Sequence, residues 1–499
     1  MDVVEPAAGL LRLPNEVLLE ALQLLDPADP GIFALSTSCR RLHFLALPIH
    51  LAAYGITDTQ ALGFNDIYLL PSQLDVLRAL QTALFIPAVK HVSCCFSLNS
   101  ARPNYTSLNL SAFLGHIRRL AGFLSILEWV DEVTLNFKDV NFWVMGERLD
   151  DLEAWDSALS MLLNVILQKH CKTLKVESGM FMVHQSQLQG KPKQPKPSLA
   201  VHPWSVVHDV GRRIGSAFVG KAESQQVSPP ALRTFNIHSR LLLLHPCYKW
   251  TLTALNSSPN LTSLSIIRVE IPENNWDDIL SSIHVPPLKY FSLDLRYTIK
   301  TATLDHFLVR HPRLTTLNLG RDLVLLKAGE VDAASKDCLH HLRNLSAAPP
   351  YVRFLVADKR AAPAVRNIRL QIKVTSRVTF DAATINQELV PCRRSLERIH
   401  LTLVIMASSA PPREDMPDAL RGARALEMVS MCPSDAFEAL VLRLLPSFPA
   451  LESVTFSRCM TWGPDPLSLV RRLKEVCPAI QAVTLDGTKY DATSACLME

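Results

Sequence analysis

Catalysis or metal binding would require nucleophiles, acid–base groups or ligands at short, defined spacings, and this sequence offers few of them. Its 11 cysteines are scattered, with one adjacent pair at Cys94-Cys95 and no C-x-x-C spacing, so neither a zinc ribbon nor a thioredoxin-like site is indicated. No H-E-x-x-H, G-x-S-x-G, Rossmann or Walker motif occurs. We expect no catalytic residues, metal ligands or cofactor, and we predict that the chain is not an enzyme. An α/β hydrolase or transferase stays open as the alternative, because a nucleophilic cysteine and its histidine meet in space rather than in sequence.

The residues that do stand in a defined order lie near the N-terminus and are suited to association with another protein. They are Leu13, Pro14, Glu16, Val17 and Leu18, then Leu25, Asp26, Pro27 and Asp29, then Leu35, Ser36, Cys39, Arg40 and Arg41. In this order, and at nearly this spacing, they resemble an F-box. The resemblance covers under a tenth of the chain.

Short helices are predicted to position these residues. Apolar residues recur at three- and four-residue steps over residues 14–25, which predicts a first helix with Pro14 in its first turn. Asp29 is suited to cap a second helix over residues 30–38, because Pro30 at the first helical position leaves no backbone donor unsatisfied.

A third helix is predicted over residues 39–47. It is expected to end at Pro48, since the residue before a proline is pushed out of the helical region. Three helices of this size bury little apolar surface on their own, so we expect an exposed apolar face that needs a partner. That face is formed by Leu13, Pro14, Val17 and Leu18.

The resemblance implies both the partner and the docking surface. In F-box proteins the partner is the Skp-type adaptor subunit, and through it the cullin, of a ubiquitin ligase. The positions that build or support the family's docking surface correspond here to Leu13, Pro14, Val17, Leu18, Leu25, Leu35 and Cys39.

The chain departs from the family at two places. Pro30-Gly31 stands where helix-favouring apolar residues are usual, and Leu42 or His43 stands where an aromatic residue is common. Glycine inside a helix costs about 1 kcal/mol relative to alanine, so the second helix is expected to begin late or to form poorly. Two alternatives follow: an ordinary helical hairpin that caps a larger domain, and a repeat scaffold whose head has decayed and binds no adaptor.

Composition and charge restrict the class of protein. Of the 499 residues, 48% are hydrophobic and 20% charged, which argues against disorder over most of the length. A net charge of +4 does not indicate a dedicated nucleic-acid surface. No apolar run is long enough to cross a membrane, and no basic segment opens a secretory signal. We expect a cytoplasmic or nuclear protein, away from membranes, whose cysteines are mostly reduced.

A degenerate phrase, L-x-x-L-x-L, recurs through the rest of the chain. Its first positions are Val89, Val130, Cys171, Leu232, Leu261, Leu288, Leu314, Leu342, Val365, Leu396, Leu426, Leu451 and Ile480. From Leu232 onward, successive first positions lie 23 to 31 residues apart, close to the spacing of leucine-rich repeats. The segments before Leu288, Leu314 and Ile480 carry helical spacing. Strand followed by helix predicts an irregular α/β arc, with parallel strands inside and helices outside.

These patterns predict four regions. They are an F-box-like head at 1–50, a helical linker at 51–86, a repeat domain at 87–490 and a tail at 491–499. Within the repeat domain, residues 184–200 are rich in Lys, Gln and Pro, which predicts a disordered insertion. A substrate protein is expected on the arc, although the sequence does not identify the contacting residues. A non-repeating α/β domain is the alternative fold.

Overall fold

The fold is described from a computed structural model of the full chain. It describes residues 12–56, 64–97, 110–138, 149–179, 230–244, 247–269, 271, 273–294, 299–320, 339–358, 361–374, 387–392, 400–407, 421–430, 441–442, 445–457, 466–492 and 496–497. The predicted insertion at 184–200 lies outside these residues.

Helices open the chain and then alternate with strands. In chain order they are α1 (Asn15–Gln23), α2 (Pro30–Ser36), α3 (Arg40–Ala52), α4 (Leu77–Thr82), α5 (Leu110–Ile126), α6 (Leu149–Gln168), α7 (Tyr248–Asn256), α8 (Glu273–Ser282), α9 (Thr301–Arg310), α10 (Pro349–Val356) and α11 (Pro466–Val476). Short 3₁₀ helices occupy Pro71–Val76, Arg240–Leu243, Val390–Cys392 and Leu445–Ser447. The helices predicted before Leu288, Leu314 and Ile480 are confirmed as α8, α9 and α11.

The strands form one sheet in which each strand pairs with the next in sequence. They are β1 (Phe64–Leu69), β2 (Ala88–Cys95), β3 (Trp129–Phe137), β4 (Thr173–Ser178), β5 (Thr234–His238), β6 (Ser263–Ile267), β7 (Tyr290–Asp294), β8 (Thr316–Leu319), β9 (Asn344–Ala347), β10 (Asn367–Val374), β11 (His400–Ala407), β12 (Ala425–Ser430), β13 (Ser453–Ser457), β14 (Ala482–Leu485), β15 (Thr488–Asp491) and β16 (Cys496–Leu497). Strands β1 to β14 pair in parallel. This sequential stacking confirms the predicted fold class.

The L-x-x-L-x-L phrase explains the stacking. Its second and third apolar positions align from strand to strand, for example Leu264 of β6 opposite Phe291 of β7, and both side chains are buried. The alternate side chains point to the other sheet face, which we call the open face. Just before β4 to β9, β12 and β13 a carbonyl accepts two hydrogen bonds from the next turn, as Thr262 does from the N–H groups of Lys289 and Tyr290 at 2.8 and 2.9 Å. Each repeat therefore satisfies its apolar and backbone groups through its neighbour.

The linker predicted to be helical contains a strand instead. Residues Phe64–Leu69 form β1, which pairs in parallel with β2, so the sheet begins one unit earlier than the phrase suggested. Strand periodicity explains this, because Ile67 and Leu69 are buried while Tyr68 between them is exposed. Leu84, near the end of this region, lies beyond the end of α4 and is 74% exposed.

The third helix does not end at Pro48 as predicted. It runs from Arg40 to Ala52 with Pro48 inside it. Proline has no N–H, so the carbonyl of Phe44 loses its helical donor. Leu47 and Leu51 on either side of the proline are fully buried, and their packing stabilises the helix across the proline.

The registers predicted for the repeats at Leu396 and Leu426 are also wrong. Leu401, the third apolar position of the phrase that begins at Leu396, lies opposite Ile368, which is the second position of the preceding repeat. Leu426 was assigned to the first position of its phrase, but it lies opposite Val454, which is the second apolar position of the repeat that begins at Leu451. The first position is therefore occupied by Ala423, which is fully buried. Alanine fills the site without the bulky side chain on which the pattern depended.

The predicted tail is in part a hairpin. After β14 the chain turns at Asp486-Gly487 and returns as β15, which pairs antiparallel with β14, and β16 pairs antiparallel with β15. Both turn residues have positive φ, 44° at Asp486 and 93° at Gly487. Asp-Gly is the preferred sequence for such a two-residue turn, a signal that the repeat pattern obscured.

Candidate docking surfaces

The first helix separates an apolar surface from a small core. Leu18 and Leu22 are buried, whereas Leu13 and Val17 keep 39% and 43% of their surface exposed. Leu25, just after the helix, is 43% exposed. The docking face, as we define it, comprises Leu13, Pro14, Val17 and Leu25.

Arg41 ties this face to the third helix. Its Nη2 donates to the carbonyl of Leu13 at 2.5 Å, and its Nε donates to Asn15 Oδ1 at 2.8 Å. Both acceptors lie where the chain enters α1. The position of the docking face is therefore set by α3.

The second helix begins at Pro30 and not late, contrary to the expectation from Gly31. Asp29 is the N-cap, and its Oδ1 accepts the N–H of Gly31 at 2.7 Å. A Cβ atom on Gly31 would lie 3.1 Å from the same oxygen, tighter than most contacts of a real Cβ. Glycine thus lets the cap carboxylate approach closely, which offsets its low helix propensity.

The third helix joins the head to the repeat domain. Leu47 and Leu51 belong to the same apolar core as the strands. The N–H of Leu84 donates to His43 Nε2 at 3.3 Å, so Nδ1 is assigned the proton that faces the Ser36 carbonyl at 3.2 Å. His43 was singled out in the sequence as a departure from an aromatic position, but nothing there indicated this bridge.

The open face carries a ladder of neutral polar side chains. Asn318 Nδ2 donates to Ser292 Oγ at 3.0 Å. Gln371 Nε2 donates to Ser346 Oγ at 2.7 Å and lies 3.3 Å from Asn318 Oδ1. Strands β8 to β10 therefore present part-exposed amide and hydroxyl groups to a partner, and Ser292 of β7 is buried beneath them.

Charged groups lie on the open face of β3 to β5. Glu177 accepts from Lys175 Nζ at 2.6 Å and from Asn136 Nδ2 at 3.4 Å, and His238 Nδ1 is 3.9 Å away. Burial, aided by Lys175, lowers the pKa of His238 despite Glu177. Asn136 Oδ1 and His238 Nε2 have no hydrogen-bond partner among the described residues. Those two atoms are buried, so the part-exposed Lys175 and Glu177 are the groups that can form hydrogen bonds with a partner, and the arrangement is not a nucleophile–base pair.

The sequence of the head matches a known family at residues 10–48, and that family is the F-box domain. The chain contains an F-box. The match spans α1, α2 and most of α3, which are the elements that form and orient the docking face.

Solved structures similar to the chain include two proteins of low identity. One is the leucine-rich repeat-containing protein LegL7 from Legionella pneumophila, with 12% identity, a TM-score of 0.31, and coverage of 87% of this chain and 93% of that one. The other is a complex of TLR13 with ssRNA13, with 11% identity and a TM-score of 0.28. The match covers 85% of this chain and spans only 45% of the TLR13 chain. No curated protein matches the sequence.

The F-box residues proposed for adaptor binding fall into two groups. Leu13, Pro14, Val17 and Leu25 are exposed. Leu18 is buried, Leu35 is half-buried against the small F-box core, and Cys39 is the half-buried N-cap residue of α3. The first group forms the exposed docking face, and the second packs beneath it. The role of both groups in adaptor binding stays a prediction.

Among the described residues, no group of three or more His, Cys, Asp or Glu side chains is arranged to hold a metal ion. Within the same residues, no helix has the length and apolar character needed to cross a bilayer.

Proposed function

We propose that this chain is the substrate-recognition subunit of a Skp–cullin–F-box ubiquitin ligase. Its F-box docks on the Skp-type adaptor, and through the adaptor on the cullin, while the repeat domain holds a protein substrate. The observation that carries the proposal is an F-box whose apolar docking face at α1 remains exposed and is held by α3, the helix that enters the core of the repeat domain. The proposed location is the cytoplasm or the nucleus.

The proposed contribution of the chain is proximity and orientation. A subunit that holds substrate near a transferring enzyme raises the effective concentration of the acceptor without chemistry of its own. Because α3 contributes to the F-box and to the main core, the substrate would be held at a fixed geometry relative to the adaptor. The amide and hydroxyl ladder of β8 to β10 and the part-exposed Lys175 and Glu177 are the proposed substrate contacts.

Co-purification with the adaptor tests the proposal. The full chain is expected to capture purified Skp-type adaptor, and a variant with Leu13→Ala and Pro14→Ala is expected to lose it. Both side chains are exposed, so the fold should survive, which circular dichroism would check. Val309→Ala, at a 46% exposed residue of α9 in the repeat domain, is the matched control and should retain the adaptor.

Each result has a definite meaning. Capture by the native chain and the control, with loss in the double variant, supports the ligase role. Absence of capture by the folded native chain would overturn it and leave a repeat scaffold for protein interaction. Retention by the double variant would show that the adaptor binds elsewhere.

A further inference from the structure

We propose that the adaptor-docking surface continues beyond the F-box onto the first turn of the repeat domain. Phe44, Leu84 and Phe85 form an apolar patch there, and the adaptor is its occupant. This inference rests on the proposed function, since it assigns a second contact to the same partner.

The patch combines two well-exposed apolar side chains with an aromatic support. Leu84 is 74% exposed and Phe44 is 42% exposed. The Phe44 and Phe85 rings lie 6.0 Å apart, and the guanidinium of Arg40 lies 6.0 Å from the Phe44 ring. Single exposed leucines are ordinary, but an exposed Leu84 beside Phe85, whose ring contacts that of exposed Phe44, has with its charged rim the composition of an interface core.

The patch is held in place before any partner arrives. The backbone N–H of Leu84 is hydrogen-bonded to His43, and the His43 ring contacts both Phe44 at 5.5 Å and Phe85 at 5.8 Å. The backbone at Leu84 is therefore fixed to α3. A preordered apolar surface loses little entropy on binding, which favours affinity.

The patch is continuous with the docking face. Phe44 lies one helical turn beyond Arg41 on α3, and Arg41 holds the carbonyl of Leu13. Phe44 falls inside the F-box match at residues 10–48, and Leu84 falls outside it. One partner that covers the start of α1 and the exposed side of α3 thus meets the repeat domain at Leu84.

The adaptor is a better occupant than the substrate, because the patch is not on the open face. Leu84 precedes β2, at the end of the sheet where the strands begin, and its backbone is bonded to the F-box helix. The substrate contacts proposed above lie on the side chains that alternate along the strands. The two partners would therefore occupy separate surfaces.

Titration calorimetry of the full chain with purified adaptor tests the inference. Leu84→Ser is expected to raise Kd about ten-fold, because the complex loses the free energy gained when the adaptor buries the leucine side chain. The change leaves the backbone hydrogen bond to His43 in place. Val390→Ser, at a 55% exposed residue of the repeat domain, is the matched control and should leave Kd unchanged.

The outcomes separate this inference from the proposed function. If Leu84→Ser binds like the native chain while the Leu13 and Pro14 variant fails to bind, adaptor docking is confined to the F-box and the inference is overturned alone. If the native chain does not bind, both fail. A photo-cross-linking amino acid at position 84 gives a second measurement: an adduct with the adaptor supports the inference, and an adduct with a second copy of the chain overturns it.

Discussion

A buried histidine in the repeat domain uses both of its ring nitrogens. His311 follows α9 and is fully buried. Its Nδ1 donates to the Phe307 carbonyl at 2.7 Å, and its Nε2 accepts the N–H of Val285 at 3.1 Å. This arrangement needs the neutral ring, and burial lowers the pKa of His311 to about 4.

His311 is expected to make the stability of the repeat domain depend on pH. In the unfolded chain the ring takes up a proton near pH 6.5, whereas in the folded chain it does so near pH 4. Its contribution to the free energy of unfolding is therefore complete above pH 6.5 and is lost as the pH falls toward 4, by up to about 3 kcal/mol. Urea unfolding at pH 7.5 and pH 5 measures the difference.

His311→Gln, which stays neutral, supplies the comparison. The variant should be less stable than the native chain at pH 7.5, and its stability should fall less between the two pH values. An equal fall in both proteins would show that other groups produce the acid sensitivity.

Sequence patterns failed at positions where the side chain is not the type usual for that position. Ala423 fills a leucine position, and His43 replaces an aromatic residue while adding a hydrogen bond to the repeat domain. Patterns built on bulky apolar residues do not detect either substitution. By contrast, the apolar residues of α1 could be assigned to a helix from spacing, but spacing did not separate buried Leu18 from exposed Val17.

At the scale of elements, α2 depends on its cap. Asp29→Ala should remove the hydrogen bond to the Gly31 N–H and weaken the helix by about 1 kcal/mol. Hydrogen exchange followed by mass spectrometry should show faster exchange across Pro30–Ser36. Asp29→Asn keeps an acceptor oxygen and should exchange nearly as the native chain does.

Asp26→Ala is the matched control for the cap. Asp26 Oδ1 accepts the N–H of Ala28 at 3.0 Å, in the turn before the helix. Its loss should leave exchange in α2 unchanged. Equal acceleration in the Asp26 and Asp29 variants would assign the effect to the turn and contradict the capping role.

Local signals predicted the starts of elements better than their ends. Asp29-Pro30 correctly predicted the start of α2, because caps and prolines act within a few residues. The helix end predicted at Pro48 is wrong, since burial of Leu47 and Leu51 outweighs a lost backbone hydrogen bond. Strand β1 was missed because its core partners lie outside its own short sequence.

At the scale of the whole molecule, one apolar core runs from Leu47 of the F-box helix to Ala492 beyond the last repeat. Leu47→Ala should cost about 2–5 kcal/mol and lower the melting temperature of the chain, because it opens a cavity where the F-box meets the repeats. Differential scanning calorimetry would measure this.

Leu45→Ala is the control for that experiment. Leu45 is half-buried against the small F-box cluster and does not belong to the main core. Its effect on the main transition should be clearly smaller. A separate F-box transition that shifts in the Leu47 variant, while the main transition stays in place, would contradict the shared core.

The general architecture could be predicted from the sequence because repetition averages out local errors. Each L-x-x-L-x-L phrase is weak, yet stacking requires the same register in every unit, so the series indicates the sheet. The strands at the two ends of the series were not predicted. Strand β1 pairs in parallel with β2, and β15 returns antiparallel to β14, so neither shows the spacing of an ordinary repeat. The open-face partners could not be predicted, because exposed strand positions carry no periodic constraint.

The hairpin at Asp486-Gly487 has a consequence for self-assembly. A stack of parallel strands offers its last edge as a template for another molecule, which is a route to polymers. Here the direction of the chain reverses at β15, and the final described strand, Cys496–Leu497, has two residues. The described strands beyond the last repeat are short and antiparallel, which disfavours their pairing with the parallel edge of another repeat domain.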